Sequence, residues 1–177
     1  GVTSLIDANV SANELYYYRI TAFDSHYSNG VLYNNESWYS NAFAARAMRN
    51  PANLYVDTGT GNDANSGLAA GAGNAKKTIN GALAIAISGD TINIANGIYK
   101  ENIVINLNNI SLIGADSVLT VINPNGDTTA GNYGITATNK TNLTIKNLHI
   151  TKCYYGVYFS NVDSSVINNV TVDYCNG

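Results

Sequence analysis

Two stretches of the chain repeat one pattern of apolar and polar residues. The stretch NLTIKNLHITKC, residues 142–153, has two short bursts in which apolar residues alternate with polar ones, and a cysteine follows. The stretch SSVINNVTVDYC, residues 164–175, repeats this pattern, and its cysteine lies 22 residues after the first. Alternation with a period of two is typical of strands. A fixed period in this range is typical of stacked repeat architectures.

Sharp corners separate the predicted strands of each repeat. Lys146-Asn147 lies between the two bursts of the first stretch, and Asn168-Asn169 takes the same place in the second. Asparagine tolerates left-handed backbone angles better than other non-glycine residues, so the chain can turn there and stay extended on both sides. A further strand begins at Gly134 as GITA and at Gly156 as GVYF. Three short strands per unit predict one coil of a solenoid, about 22 residues long.

Neighbouring coils are expected to stack at about 4.8 Å and to pair as parallel strands, so that inward residues form ladders. These ladders place Ile145 on Ile167, Ala137 on Phe159, and Cys153 on Cys175. For the cysteines, the strand spacing of about 4.8 Å exceeds the roughly 3.8 Å between Cβ atoms that a disulfide prefers. The spacing therefore favours a ladder of reduced cysteines over a disulfide.

Residues 55–114, upstream of the repeats, carry a dense set of motif positions. These positions are Asp57, Gly61, Asp63, Gly67, Lys77, Thr78, Ile79, Ala82, Ala86, Gly89, Asp90, Thr91, Ile92, Gly97, Tyr99 and Glu101. Together with the repeats, they resemble the right-handed parallel β-helix of the pectin-lyase-like superfamily, over about two thirds of the chain. The resemblance implies a fold but no particular activity, because one fold hosts many functions.

A short helix at residues 78–87 is predicted to cover the first coil. Its apolar residues are spaced i, i+3, i+4 and i+7, which gives the helix one apolar face. They are Ile79, Ala82, Leu83 and Ala86. Thr78 is the predicted N-cap and Gly89 the predicted stop. Such a helix would cover the apolar disc and the unpaired strand edges of the first coil.

The first 50 residues are predicted to form a different domain, with strands in segments 12–24 and 36–47. The positions that carry this pattern are Tyr16, Tyr18, Ile20 and Ala22 in the first segment, and Ser37, Ser40 and Asn41 in the second. They resemble the last part of a fibronectin type III domain, with Tyr16 at the tyrosine-corner position and residues 4–7 as the preceding strand. The boundary is predicted at residues 49–52.

The complete fold prediction is an all-β chain with two domains. Residues 1–50 are predicted to be a partial fibronectin type III-like β-sandwich. Residues 51–177 are predicted to be the N-terminal capping helix and first coils of a right-handed parallel β-helix. The sandwich lacks its earlier strands and the last coil lacks a cap, so we expect the natural protein to continue beyond both ends.

Charge and hydropathy exclude two classes of partner. The 177 residues carry a formal net charge of −3, and only 12% of them are charged. The chain has no basic cluster beyond Lys76-Lys77, whereas a nucleic-acid footprint needs more. No apolar run approaches the roughly 20 residues of a membrane-spanning helix. With the two resemblances, these features predict a fragment of a secreted or cell-surface multidomain protein.

An oxygen-rich loop between Asp57 and Asn65 is a candidate metal site. Asp57, Asp63 and Asn65 are spaced among glycines, and calcium prefers six to eight oxygen ligands from a flexible loop. The loop lacks a bidentate glutamate. The alternative is a loop of Asx turns, in which the glycines serve the backbone. The sequence indicates no required cofactor, and calcium is the cofactor for which it contains candidate ligands.

Tyrosines in the second half of the chain form a candidate glycan-binding surface. Tyr154, Tyr155, Tyr158 and Tyr174 are predicted to crowd one corner of adjacent coils, with Lys152 and Asp173 in the same loops. Sugar rings stack on exposed tyrosines. The alternative is ordinary cross-strand packing. We interpret His149, which has no partner histidine, as a surface residue.

Two functions follow from these features. The first is association with a polysaccharide or other extracellular glycan, either as a binding domain or as part of a polysaccharide lyase whose active site lies outside this segment. The second is a structural or adhesive surface protein that self-associates or contacts other surface proteins and uses the β-helix as a rigid spacer. Because the sequence shows no base near a carboxylate cluster, we assign no catalytic residues.

Overall fold

The computed structural model describes residues 15–38, 41, 43–46, 49–124, 128 and 130–176. The chain divides into two compact units, and the division lies between Asn50 and Pro51. Apart from one short helix, the regular elements of the described residues are strands, and the chain is all-β with parallel sheets in its second unit.

The first unit contains two antiparallel strand pairs. Its strands are β1 (Leu15–Tyr18), β2 (Phe23–Ser28), β3 (Val31–Glu36) and β4 (Phe43–Arg46). Strand β1 pairs with β4, and β2 pairs with β3. The first predicted strand is shorter than expected, because β1 ends at Tyr18 and the chain then enters the β2–β3 hairpin. Asn29-Gly30, both with positive φ, forms its turn, as expected of an Asn-Gly hairpin. Ser40 and the predicted strand at residues 4–7 lie outside the described residues.

The second unit is built from short strands and helix α1 (Ile79–Leu83). Its strands are β5 (Asn53–Val56), β6 (Thr91–Ile94), β7 (Gly97–Tyr99), β8 (Ile103–Ile105), β9 (Ser111–Gly114), β10 (Thr120–Ile122), β11 (Ile135–Thr141), β12 (Thr144–Thr151), β13 (Val157–Asp163) and β14 (Val166–Asp173). The pairs among these strands are all parallel. One sheet has three strands, in the order β13-β11-β8, and the other has seven, in the order β5-β6-β9-β12-β10-β7, with β14 also on β12.

The predicted register between the two sequence repeats is confirmed. Ile145 pairs with Ile167, and Ala137 pairs with Phe159. Strand β12 turns at Asn147, whose φ is 55°. Before this corner it pairs with β9, and after it with β10. An asparagine with left-handed backbone angles thus lets one continuous strand bend, so that its two halves pair with different strands.

Asparagine side chains repeat along the corners and reveal where the spacing changes. Asn161 donates to Asn139, and Asn169 donates to Asn147, each across 22 residues. Asn142 donates instead to Asn109, 33 residues earlier. The 22-residue spacing therefore belongs to the last two units, and the preceding unit is longer.

The core is a set of apolar columns that run across the parallel strands. In one column Leu54, Ile92, Leu112 and Ile145 lie opposite one another and are fully buried. Ile167 continues this column on β14, but it is 49% exposed. Ile167 was predicted to be buried, and it is only half-buried. Among the described strands β14 pairs with β12 alone, so Ile167 has a neighbouring strand on one side.

The helix is shorter than predicted, and the Glu101 carboxylate binds its first N–H groups. Thr78 is the N-cap, as predicted, and its hydroxyl accepts a hydrogen bond from Gly81 N. Glu101 accepts from the N–H groups of Ile79 and Asn80 at 2.7 and 2.9 Å. Burial raises the pKa of Glu101, although these N–H groups oppose the shift. The motif position of Glu101 thus has a structural function, which is to satisfy the first N–H groups of α1.

Candidate functional site

Two loop segments lie side by side where the strands of the two repeats begin. Residues 131–134 precede β11, and residues 152–156 connect β12 to β13. Tyr154 N donates to Asn132 O at 2.7 Å, and Gly134 N donates to Tyr155 O at 2.8 Å. A Cβ atom on Gly134 would collide with the carbonyl oxygen of Gly156. Glycine at this position therefore permits the close approach of the two segments.

Four tyrosine rings meet on these segments, and we call Tyr133, Tyr154, Tyr155 and Tyr158 the tyrosine cluster. Tyr133 is its centre, because its ring lies 5.5 Å from Tyr158, 5.7 Å from Tyr155 and 6.2 Å from Tyr154, measured between centroids. The rings of Tyr133 and Tyr158 are stacked with an interplanar angle of 19°. Tyr154 and Tyr155 meet edge to face at 4.8 Å. Tyr158 is 43% exposed, and the other three are half-buried.

Tyr133 was not predicted from the sequence, although the repeat contained the signal for it. Gly134 and Gly156 are equivalent positions of the two units, so the residues directly before them, Tyr133 and Tyr155, are equivalent too. Ile135 and Val157 are register partners in the structure. The alignment of the two repeats therefore predicts that Tyr133 and Tyr155, directly before the two glycines, form an aromatic pair.

The other predicted glycan-binding residues do not all join the cluster. Tyr174 is 78% exposed, and the ring contacts among the described residues do not include it. Tyr174 and Lys152 occupy equivalent corners, each with a positive φ, and each directly precedes a cysteine. The structure therefore brings Tyr154 and Tyr158 together and leaves Lys152 and Tyr174 as exposed corner residues.

The prediction of reduced cysteines is wrong, because Cys153 and Cys175 form a disulfide. Their Cα atoms are 4.6 Å apart, within the usual range for a disulfide. Regular pairing of β12 with β14 ends at Thr151 and Asp173, before the cysteines. Beyond that point the strand spacing no longer fixes the direction of the Cβ atoms, so the distance expected for regular strands does not apply to the two cysteines.

Asp173 lies beside His149 rather than with the tyrosines. His149 Nε2 is 3.0 Å from Asp173 Oδ2, and the two side chains are 22% and 38% exposed. The Thr151 hydroxyl and then the His149 ring lower the pKa of Asp173. The interpretation of His149 as a simple surface residue is therefore incomplete, since it forms a cross-strand charge pair whenever its ring is protonated.

Each candidate metal ligand forms hydrogen bonds with other groups of residues 57–78. Asp57 accepts hydrogen bonds from Gly59 N, Thr60 N and the Thr60 hydroxyl, and the hydroxyl is the main reason that its pKa is lowered. Asp63 accepts from Lys77 N, Thr78 N and the Thr78 hydroxyl. Asn65 donates to the carbonyl oxygens of Ala72 and Ala75.

Within the described ranges, the structure contains no group of three or more His, Cys, Asp or Glu side chains arranged to hold a metal ion. Calcium binding by Asp57, Asp63 and Asn65 stays a prediction. In the same part of the chain, no helix has the length and apolar character that crossing a membrane requires.

Comparison with protein-family models, with curated proteins and with solved structures finds no match to this chain. The geometry of the tyrosine cluster and its surroundings is therefore the basis for assigning a function.

Proposed function

We propose that residues 51–177 form the capped beginning of a right-handed parallel β-helix, similar to the pectin-lyase-like superfamily. The parallel pairing, the fully buried columns and the asparagine corners support this fold. Helix α1 contacts β5, β6 and β8 and buries Ile79 and Ala82, which fits a cap over the first coil. Residues 1–50 resemble the C-terminal part of a fibronectin type III-like module, and the antiparallel pair of β1 and β4 supports this resemblance.

The protein is secreted or exposed at the cell surface. The Cys153–Cys175 disulfide supports this location, because disulfides persist in oxidising compartments and are rare in reducing ones. Expression in an oxidising and in a reducing compartment, followed by thiol labelling, tests the point. The disulfide should form quantitatively only in the first.

The function is binding of an extracellular glycan at the tyrosine cluster. The observation that carries this proposal is the group of four rings, drawn from two neighbouring repeat units, of which Tyr158 presents 43% of its surface to solvent. Tyr133 stacks behind Tyr158, so the exposed ring is held in one orientation before a ligand arrives. A fixed ring loses little conformational freedom on binding, and aromatic contacts contribute about 0.5–1.5 kcal/mol beyond their buried area.

Affinity electrophoresis in gels that contain neutral or acidic polysaccharides tests this proposal. The wild type should be retarded in at least one gel, and Tyr158→Ala should lose most of the retardation. Tyr27→Ala is the matched control, because Tyr27 is 75% exposed but belongs to the first unit. Equal mobility of Tyr158→Ala and Tyr27→Ala in every gel would contradict the proposal.

The alternative function is a rigid spacer in a structural or adhesive surface protein. The in-register parallel pairing of successive strands favours it, because each repeat unit packs on its neighbours and so extends one stacked column. Concentration-dependent self-association of a chain that no polysaccharide gel retards would support this alternative over glycan binding.

A further inference from the structure

A groove lies on the second unit, apart from the tyrosine cluster. Its floor is the outward side of β5, β6 and β9, where Tyr55 pairs with Asn93 and Asn93 pairs with Ile113. Along each strand these residues alternate with the buried column, so their side chains face outward. Ala70 and Gly71, from the loop after β5, form one wall of the groove, and Asp57 lies at its edge. The cavity has a volume of about 360 Å³, which is at the small end of the range for small-molecule sites.

The wall of this groove is held in place by hydrogen bonds. Tyr55 N donates to Gly67 O at 2.8 Å, and Lys76 N donates to Tyr55 O at 2.9 Å. The Asn65 amide donates to the carbonyl oxygens of Ala72 and Ala75 at 3.2 and 2.9 Å. The loop therefore has its shape before a ligand binds, and binding does not have to order it.

The polar groups of the groove select the charge of its ligand. Asp57 is the charged residue of the lining, and its carboxylate accepts hydrogen bonds from Gly59 N, Thr60 N and the Thr60 hydroxyl. Lys76 is buried, and its Nζ donates to Asp63 O at 2.7 Å. An anionic ligand in the groove would meet the like charge of the Asp57 carboxylate, which disfavours its binding.

The remaining polar group is an acceptor. The Asn93 amide nitrogen donates to the Asn53 side chain and to Leu54 O, both at 3.3 Å. This orientation leaves Asn93 Oδ1 to accept from a ligand. One aromatic ring, an apolar wall and two acceptors match a molecule with a C–H face and hydroxyl donors at its edge.

We propose that this groove binds a short segment of a neutral oligosaccharide, with a sugar ring against Tyr55 and hydroxyl groups directed at Asn93 and Asp57. The site shares no residue with the tyrosine cluster, so the proposal does not depend on glycan binding there. If both sites bind, they would contact one polysaccharide chain at two places or two chains at once.

Isothermal titration of the full chain with cellohexaose, xylohexaose and hexagalacturonate tests this proposal. At least one of the two neutral oligosaccharides should bind, and hexagalacturonate should bind more weakly at the groove. All measurements are repeated in a Tyr158→Ala background, so that binding at the tyrosine cluster is removed and failure of one site is not mistaken for failure of the other.

Paired variants identify the groove without disturbing the core. Ala70→Trp fills the mouth and should abolish binding, whereas Ala69→Trp adds the same ring at an exposed neighbour outside the lining and should bind like the wild type. Tyr55→Ala should weaken binding about fivefold. Equal binding by the two tryptophan variants, equal affinity for hexagalacturonate and the neutral sugars, or no binding of either neutral sugar would each overturn the proposal.

Discussion

Strands β12 and β14 have the same sequence pattern but differ in burial. Ile145 on β12 is fully buried, whereas its register partner Ile167 is 49% exposed. Cys153 is likewise fully buried, and Cys175 is half-buried. Strand β12 pairs on both sides, with β14 on one and with β9 and β10 on the other. The repeat thus determines which residues face inward, and the neighbouring layers determine how much each inward residue stabilises the fold.

The largest difference should appear when the two isoleucines are truncated. Ile145→Ala should lower the free energy of unfolding by about 2–5 kcal/mol, because it leaves a cavity in a closed core. Ile167→Ala should lower it by about 1 kcal/mol, because half of that side chain already contacts solvent. Urea denaturation of both variants measures the difference. Similar losses would mean that the two layers are equally buried in solution.

Removal of the disulfide should affect mainly the β14 layer. The bond closes a loop across 22 residues, for which the loss on removal is about 3 kcal/mol. Hydrogen exchange of a Cys153→Ala/Cys175→Ala variant should be faster in β13 and β14 and nearly unchanged in β5 and β6. Uniform acceleration across all these strands would show that the layers unfold as one unit.

The carboxylate of Glu101, which caps α1 near the start of the second unit, should make the stability of the protein depend on pH. The pKa of Glu101 is raised from 4.5, chiefly by burial, so the folded state holds this proton more tightly than the unfolded state does. Its contribution to stability is therefore present below about pH 4.5 and declines as the pH rises through the folded pKa. Glu101→Gln should remove this decline in thermal melts taken from acid to neutral pH, and a slope unchanged in that variant would assign it to another group.

The smallest effect should come from Asp173, and its sign is the opposite. Its pKa is lowered from 3.8 by the Thr151 hydroxyl and by His149. The ionised carboxylate therefore adds stability above pH 3.8, and this contribution is lost as the pH falls through the lower folded pKa. Asp173→Asn should flatten the acid limb of the stability curve slightly. The prediction fails if the variant and the wild type lose stability in parallel at low pH.

The sequence predicted the features that repeat and missed those that depend on particular contacts. The register of Ile145 with Ile167 and the corner at Asn147 followed from period and backbone preference, which act locally. The helix ended early at Leu83, and no propensity rule marked that end. The disulfide depends on the path of the backbone beyond the last paired residues, Thr151 and Asp173. The His149–Asp173 contact joins two residues that are not register partners but lie diagonally across neighbouring strands. For the candidate site, Tyr154 and Tyr158 were predicted from their position at one corner of adjacent coils, whereas Tyr133 required the repeat alignment to be extended by one residue.

The most direct test of the central claim compares Tyr133→Ala with Tyr174→Ala in affinity electrophoresis on the polysaccharide that retards the wild type. Tyr133 is half-buried at the centre of the tyrosine cluster, and Tyr174 is more exposed but lies outside it. If the cluster is the glycan site, Tyr133→Ala should lose most of the retardation and Tyr174→Ala should keep it. Loss of retardation in Tyr174→Ala with full retention in Tyr133→Ala would contradict the assignment and move glycan binding to the exposed corner.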